Sequence, residues 1–246
     1  MEFKSETDNI IIKSCISKEK KVKTTKKPLS PTKIINDAVA SEVKNITDVC
    51  EVKNITDVCE NTELIDINFK KCVQGYHLVN SSSINETIWE DINALIFLSL
   101  GINIYSKSDG SHSSGMDIDC TLGGISNKSA KYSNNRQSID ISSYRLTTVC
   151  SDKQCGTPTE FIAEINKRKN FNYYSFIVRD ESDANVIGYD WLLIPSNYLI
   201  LDPSSYNWEP TIGKRGKKKD SQVGWNTNEI NGCQMSITFS LSLIHI

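Results

Sequence analysis

The stretch from Ser108 to Lys128 holds the residues best placed to do chemistry. It reads SDGSHSSGMDIDCTLGGISNK. Asp117 and Asp119 are two apart, so on a β-strand both project to one face. Ser126 and Lys128 stand in the same relation on the segment that follows. Gly123 and Gly124 between the two segments are a turn signal, which predicts a hairpin with residues 116–122 on one arm and 125–132 on the other. An acidic pair then lies opposite a hydroxyl and an ammonium. Phosphodiester hydrolysis needs such a set. Carboxylates hold a hard divalent cation, usually Mg²⁺, through oxygen. The cation neutralises charge on the phosphoryl oxygens and lowers the pKa of a bound water. A nearby lysine orients that water or stabilises the transition state electrostatically.

The elements that must position these groups are legible from periodicity. Ser83 and Glu86 have the spacing of a capping box. Ile84, Ile88, Ile92, Leu95 and Ile96 then recur at helical spacing, and Gly101 ends the helix. Residues 102–105 form a short strand. A further strand is expected over 139–150, a helix over 159–169 with Phe161, Ile162 and Ile165 inward, and strands over 171–179 and 186–195 joined by the polar turn 180–185. Helix, several strands, helix, two strands is the order of an α/β fold with a mixed sheet.

This arrangement resembles the PD-(D/E)XK nuclease superfamily, and within it the type II restriction endonucleases. In that family a metal-binding Asp sits on one strand and an acid-x-Lys motif on the next. Asp117 matches the first, and Ser126-Asn127-Lys128 the second, with Ser where an acidic residue is usual. Family members often place a glutamate on the helix before these strands, where Glu86 and Glu90 lie four apart. Ser142-Ser-Tyr-Arg-Leu146, Tyr173-Tyr-Ser-Phe-Ile-Val-Arg179 and Tyr189-Asp-Trp-Leu-Leu-Ile-Pro195 look like the strands that follow the lysine. The resemblance spans about residues 84 to 239. It implies a restriction-endonuclease-like mixed β-sheet flanked by helices, Mg²⁺ as cofactor, double-stranded DNA as substrate and a homodimer. Asp117, Lys128, Ser126 and Glu90 become the catalytic candidates. Asp117, Asp119 and Glu90 become the metal candidates, with Asp140 another source of the second carboxylate. A capping role for Glu86 leaves Glu90 as the helix carboxylate.

Contacts to DNA are expected from three places. His112 lies in a Gly- and Ser-rich loop that could approach a phosphate, and such loops are as often plain surface. Arg145 alternates with apolar neighbours and either reaches a phosphate or pairs with a carboxylate inside the sheet. Lys214, Arg215, Lys217 and Lys218 form a basic loop between Trp208 and Trp225, a composition that attracts a phosphate backbone and can read guanine edges. The competing readings are a nuclease-like domain that binds DNA without cutting it, and an interaction protein tethered by its tail.

Composition sets the remaining bounds. The chain has 246 residues and a formal net charge of −2, so DNA affinity must come from local clusters. No apolar run reaches the roughly 20 residues of a membrane span. The first residues lack the order of a signal peptide. The eight cysteines are therefore read as reduced thiols of a cytoplasmic protein, or a nuclear one in a eukaryotic host. Cys150 and Cys155 lack the second pair that a zinc site needs. Walker-type loops, nucleophile elbows and dinucleotide fingerprints do not occur. Residues 1–62 are lysine-rich and contain EVKNITDVC twice in tandem, which reads as a disordered tail. Residues 63–240 form the nuclease domain, and 241–246 (LSLIHI) look like translated sequencing adapter.

Overall fold

The computed structural model describes residues 11–18, 62–108, 115–133, 138–141, 146–151, 153–183 and 186–239. The tandem repeat, most of the lysine-rich run, and residues 241–246 lie outside them. No helix among the described residues is long and apolar enough to cross a membrane. The chain groups into two compact units: Met1–Ser142 with Phe171–Pro195, and Ser143–Asn170 with Ser196–Ile246.

The first unit is a mixed sheet with helices. Its elements are β1 (Ile11–Lys18), α1 (Thr62–Val79), α2 (Glu86–Ser99), β2 (Ile104–Lys107), β3 (Ile118–Cys120), β4 (Gly123–Ser133), β5 (Ser138–Asp140), β6 (Tyr173–Asp183) and β7 (Val186–Pro195). The strand order is β1-β7-β6-β4-β3-β2, with β5 also paired to β4. The β4–β6 pair is parallel and the other pairs are antiparallel. The strand β1 departs from the expected tail: its eight residues run beside β7, Ile11 opposite Leu193 and Lys18 opposite Val186.

Helix α1 is absent from the sequence expectation, although its pattern is regular. Ile65, Phe69, Cys72, Val73 and Tyr76 are buried, a spacing that gathers them on one helical stripe. Helix α2 begins two residues later than the capping-box reading. Asn85 is the N-cap, its Oδ1 accepting the Ile88 N–H at 3.0 Å. The Ser83 hydroxyl donates instead to Glu181, 3.1 Å away. Gly101, at φ 74°, turns the chain out of the helix as expected.

Both helices cover one face of the sheet. Their buried residues join Ile118, Ile125, Ile177, Tyr189, Trp191 and Leu193 in a single core. Trp191 is its hub, with ring centroids 5.7 Å from Trp89, 6.0 Å from Phe69 and 6.1 Å from Phe97. Alternation sends Tyr174 and Phe176 to the opposite face, where their rings stack at 5.4 Å.

Three strand expectations need correction. The β3–β4 turn is at Thr121–Leu122, because Gly123 and Gly124 already pair with Cys120 and Asp119. The expected strand over 139–150 is reduced to Ser138–Asp140. Residues 142–145 lie outside the described residues, and 147–149 form a turn closed by the Val149 and Cys150 N–H groups, both bonded to Leu146 O. Between β6 and β7 the strands run on to Asp183, across a bulge after Asp180.

The second unit has α3 (Pro158–Arg168) and three antiparallel strands, β8 (Trp208–Ile212), β9 (Gln222–Thr227) and β10 (Ser236–Thr238), in the order β10-β9-β8. Thr157 caps α3 and Pro158 takes its first turn, the position where a missing N–H costs nothing. Phe161, Ile165, Leu146, Cys150 and Phe239 form a small core. Phe161 meets Trp208 at 4.6 Å and Trp225 at 6.0 Å.

Candidate active site

The site forms where β3 and β4 part. Their pairing ends at Ile118 opposite Ile125, and Asp117 is the last residue held, its N–H bonded to Ile125 O at 2.8 Å. One residue further along β4, the N–H of Asn127 has lost its strand partner. The Asp117 carboxylate takes that place: Oδ2 accepts the Asn127 N–H at 2.6 Å and lies 3.5 Å from Ser126 Oγ. Asp117 is therefore pinned against β4 by a strand end.

Helix α2 brings the second set of groups. Glu86 is its first residue, and Lys128 Nζ donates to Glu86 Oε1 at 2.8 Å and to the Asn127 carbonyl at 2.8 Å. The Lys128 side chain is 12% exposed while that of Glu86 is 46% exposed, so the ammonium is held inside and the carboxylate reaches in from the rim. Glu90 follows one turn later on the same face. Its carboxyl is pushed up to about 7 by burial, then by the charges of Asp117 and Glu86, against the pull of Lys107 and Lys128. Asp117 is raised by burial and Glu86, and held down by Lys128, the Asn127 N–H and Ser126. Three carboxylates and two ammonium groups thus share one electrostatic neighbourhood. Lys107, at the end of β2, is ion-paired with Asp91.

A buried amide pair links α2 to β4 at this level. Asn93 Nδ2 donates to Asn127 Oδ1 at 2.6 Å and to Ser175 Oγ at 2.9 Å, and Trp191 Nε1 donates to the same hydroxyl at 2.8 Å. Asn127 lies between Ser126 and Lys128, so alternation turns it to the face that α2 covers, while Lys128 reaches the first residue of α2 only with the end of its long side chain. Gly124 keeps the approach open at the base of β4, since a Cβ there would meet Met116 Sδ at 2.6 Å and Phe171 Cα at 3.0 Å.

The structure brings together Asp117, Ser126, Lys128 and Glu90 of the sequence candidates. Asp119 enters neither of the charge sets that act on Glu90 and Asp117; it adds to burial in pushing up the Cys120 thiol. Asp140 lies opposite Lys131 in the β4–β5 register, three residues along β4 from Lys128, roughly 10 Å at the usual rise per residue. His112 and Arg145 lie outside the described residues. Lys214, Arg215 and Lys218 are exposed at the tip between β8 and β9, and the Lys217 backbone forms part of the 3₁₀ turn Gly216–Lys218 there. All four belong to the second unit. The residue the sequence reading discounts is Glu86. Assigning it to a capping box with Ser83 hides it, although Asn85 beside it is an equally good cap.

Among the described residues no three His, Cys, Asp or Glu side chains converge closely enough to hold a metal together. Mg²⁺ keeps several waters and is usually bound by one or two carboxylates with substrate phosphate supplying the rest, a number that Asp117 and Glu90 could supply. Asp117 and Glu90, both pushed towards protonation by burial and like charge, are a donor pair that a cation would relieve. No protein-family model, curated protein or solved structure matches the chain.

Proposed function

We propose that the chain is a Mg²⁺-dependent endonuclease acting on double-stranded DNA, of the PD-(D/E)XK type with Ser126 in the usual acidic position. One observation carries the reading. Asp117 at the mouth of β3, Ser126 and Lys128 on the adjoining β4, and Glu86 and Glu90 on the preceding helix meet where the two strands part.

In this reading Asp117 and Glu90 hold the cation, which when bound supplies charge neutralisation and a more acidic water. Lys128 orients the attacking water or balances charge gathering on the phosphorus oxygens. Glu86 fixes the ammonium in place and Asn127 O shares it. Ser126 donates to Asp117 and so helps keep its second oxygen free for the cation. The exposed cations Lys214, Arg215 and Lys218 contribute sequence-independent attraction to the phosphate backbone. A homodimer, cutting both strands, belongs to the same proposal.

The test uses purified chain, supercoiled plasmid and Mg²⁺. Asp117→Ala with Lys128→Ala is expected to lower the nicking rate at least ~100-fold, the scale of losing a transition-state stabiliser. Equal cutting by the double variant and the parent sinks the site. The second reading, a domain that binds DNA without cleaving it, is favoured by the engagement of Lys128 with Glu86 and Asn127 O and by the missing acid at Ser126. Retention of DNA in EDTA, with intact plasmid after Mg²⁺ is added, decides for it.

A further inference from the structure

Cys150 and Cys155 lie in the second unit and are none of the residues assigned above. Ser151 N–H donates to Gln154 O at 2.7 Å, and Gln154 N–H donates back to Ser151 O at 3.2 Å. That reciprocal pair is the hydrogen-bonded rung of a tight antiparallel turn, braced by the Ser151 hydroxyl accepting the Lys153 and Gln154 N–H groups at 3.3 and 3.1 Å. The residues immediately outside such a rung face each other without hydrogen bonds, with Cα atoms about 4.5 Å apart. Those residues are Cys150 and Cys155. Disulfides form with Cα separations of about 4.4–6.8 Å, a range that includes the usual spacing beside such a rung.

A second observation locates the buried sulfur. Gly156 has φ +62°, and a Cβ on it would stand 2.9 Å from Cys150 Sγ. The chain therefore folds back over that sulfur directly after Cys155. Both thiols are free, Cys150 buried and Cys155 exposed. The turn is also anchored: Trp225 Nε1 of β9 donates to Cys155 O at 3.0 Å.

We propose that Cys150 and Cys155 are a modification site, a dithiol that closes to an intramolecular disulfide by exchange with a low-molecular-weight disulfide. Cys155 is the entry thiol because it alone of the two is exposed. Its thiolate attacks one sulfur of the reagent, the reagent's S–S bond breaks, and one small thiol leaves. Cys150 then attacks the Cys155 sulfur of the mixed disulfide and expels the second small thiol. The two cysteine protons end on the two released thiols, and two electrons pass from protein to reagent. Burial, then Glu160 and Cys155, push the Cys150 thiol up, which suits a sulfur that reacts with its neighbour and not with reagents in solution. The proposal does not rest on the nuclease reading.

Trypsin tests it directly, because Lys153 lies between the two cysteines. The full chain is incubated with glutathione disulfide, free thiols are blocked, and the digest is read by mass spectrometry. The expected product joins peptide 146–153 to peptide 154–167, lighter than their sum by two hydrogen atoms, and separates on reduction. In Cys155→Ser the joined species disappears and Cys150 remains a free thiol. Pairing of Cys150 or Cys155 with any other cysteine overturns the proposal. So does a stable glutathione adduct on Cys155 with Cys150 still free, or an adduct on Cys150 in Cys155→Ser formed as fast as the parent reacts.

Discussion

Glu90 is the most informative single group in the site, because its carboxyl is held near neutrality. Folding raises it from 4.5 to about 7, with burial the largest cause. Between those values the folded chain keeps a proton that the unfolded chain has lost. Stability contributed at this position therefore falls as pH rises through the window, by an amount on the order of 1–3 kcal/mol. Urea unfolding of Glu90→Gln is expected to show a flatter pH dependence over that range than the parent. An unchanged slope would mean that the charge of Glu90 is not confined as described. Cation binding has the opposite sign. If Glu90 holds the proposed cation it must be ionised, so Mg²⁺ affinity should increase from about pH 6 towards 8, with proton release in calorimetry, and Glu90→Gln should reduce the increase. Of the charged groups, Asp117 and Lys128 could be read from spacing. Glu86 could not, because its partner lies on another element, and nothing near it in the chain shows that.

Helix α2 places two carboxylates against β4, and its position depends on a few contacts along its length. Asn85 caps it, Trp89 Nε1 bonds Ser175 O at 3.0 Å, and Asn93 bonds Asn127 and Ser175. Asn85→Ala should lower stability by about 1 kcal/mol, the usual loss for a cap. Asn93→Ala should cost about 1–3 kcal/mol, since Asn127 Oδ1 and Ser175 Oγ stay buried with a donor removed. Chemical denaturation of the two variants gives both numbers, and a loss from Asn93→Ala no larger than that of an exposed substitution would argue against the buried link. The two helices expected from periodicity, and the strands other than the one expected over 139–150, are legible at their centres. Their ends are not. The Gly123-Gly124 pair is a turn signal, yet both residues sit in β4, where Gly124 packs too closely against Met116 and Phe171 to carry a side chain. Helix α1 has the signal, five buried residues at helical spacing, but it adjoins a stretch whose composition reads as tail.

The three carboxylates of the candidate site and Lys128 belong to the first unit, and the exposed cations of the β8–β9 tip to the second. The tip is an ordered turn: Asp220 N–H bonds Gly213 O and Gly213 N–H bonds Ser221 O, each at 2.9 Å. If this tip binds phosphates, reversing Lys214, Arg215 and Lys218 to Glu should weaken DNA binding. The salt slope should then fall by up to about 0.9 for each phosphate left without its cation. The Mg²⁺ binding proposed for the first unit should be unaffected. Anisotropy titrations across a salt series, run beside Mg²⁺ calorimetry, check both halves, and an unchanged slope removes the tip from the DNA interface.

Short-range information is enough to predict that Asp117 and Lys128 belong to the two arms of one hairpin, because a two-residue connection leaves the chain little else to do. It is enough to mark α2 and the β6–β7 pair as amphipathic or apolar elements. The parallel pairing of β4 with β6, the addition of β1 beside β7, the Glu86–Lys128 ion pair and the Asn93–Asn127 link are settled by packing. Each joins residues from separate elements, and such partners are chosen by which faces bury together, a property that no local period encodes.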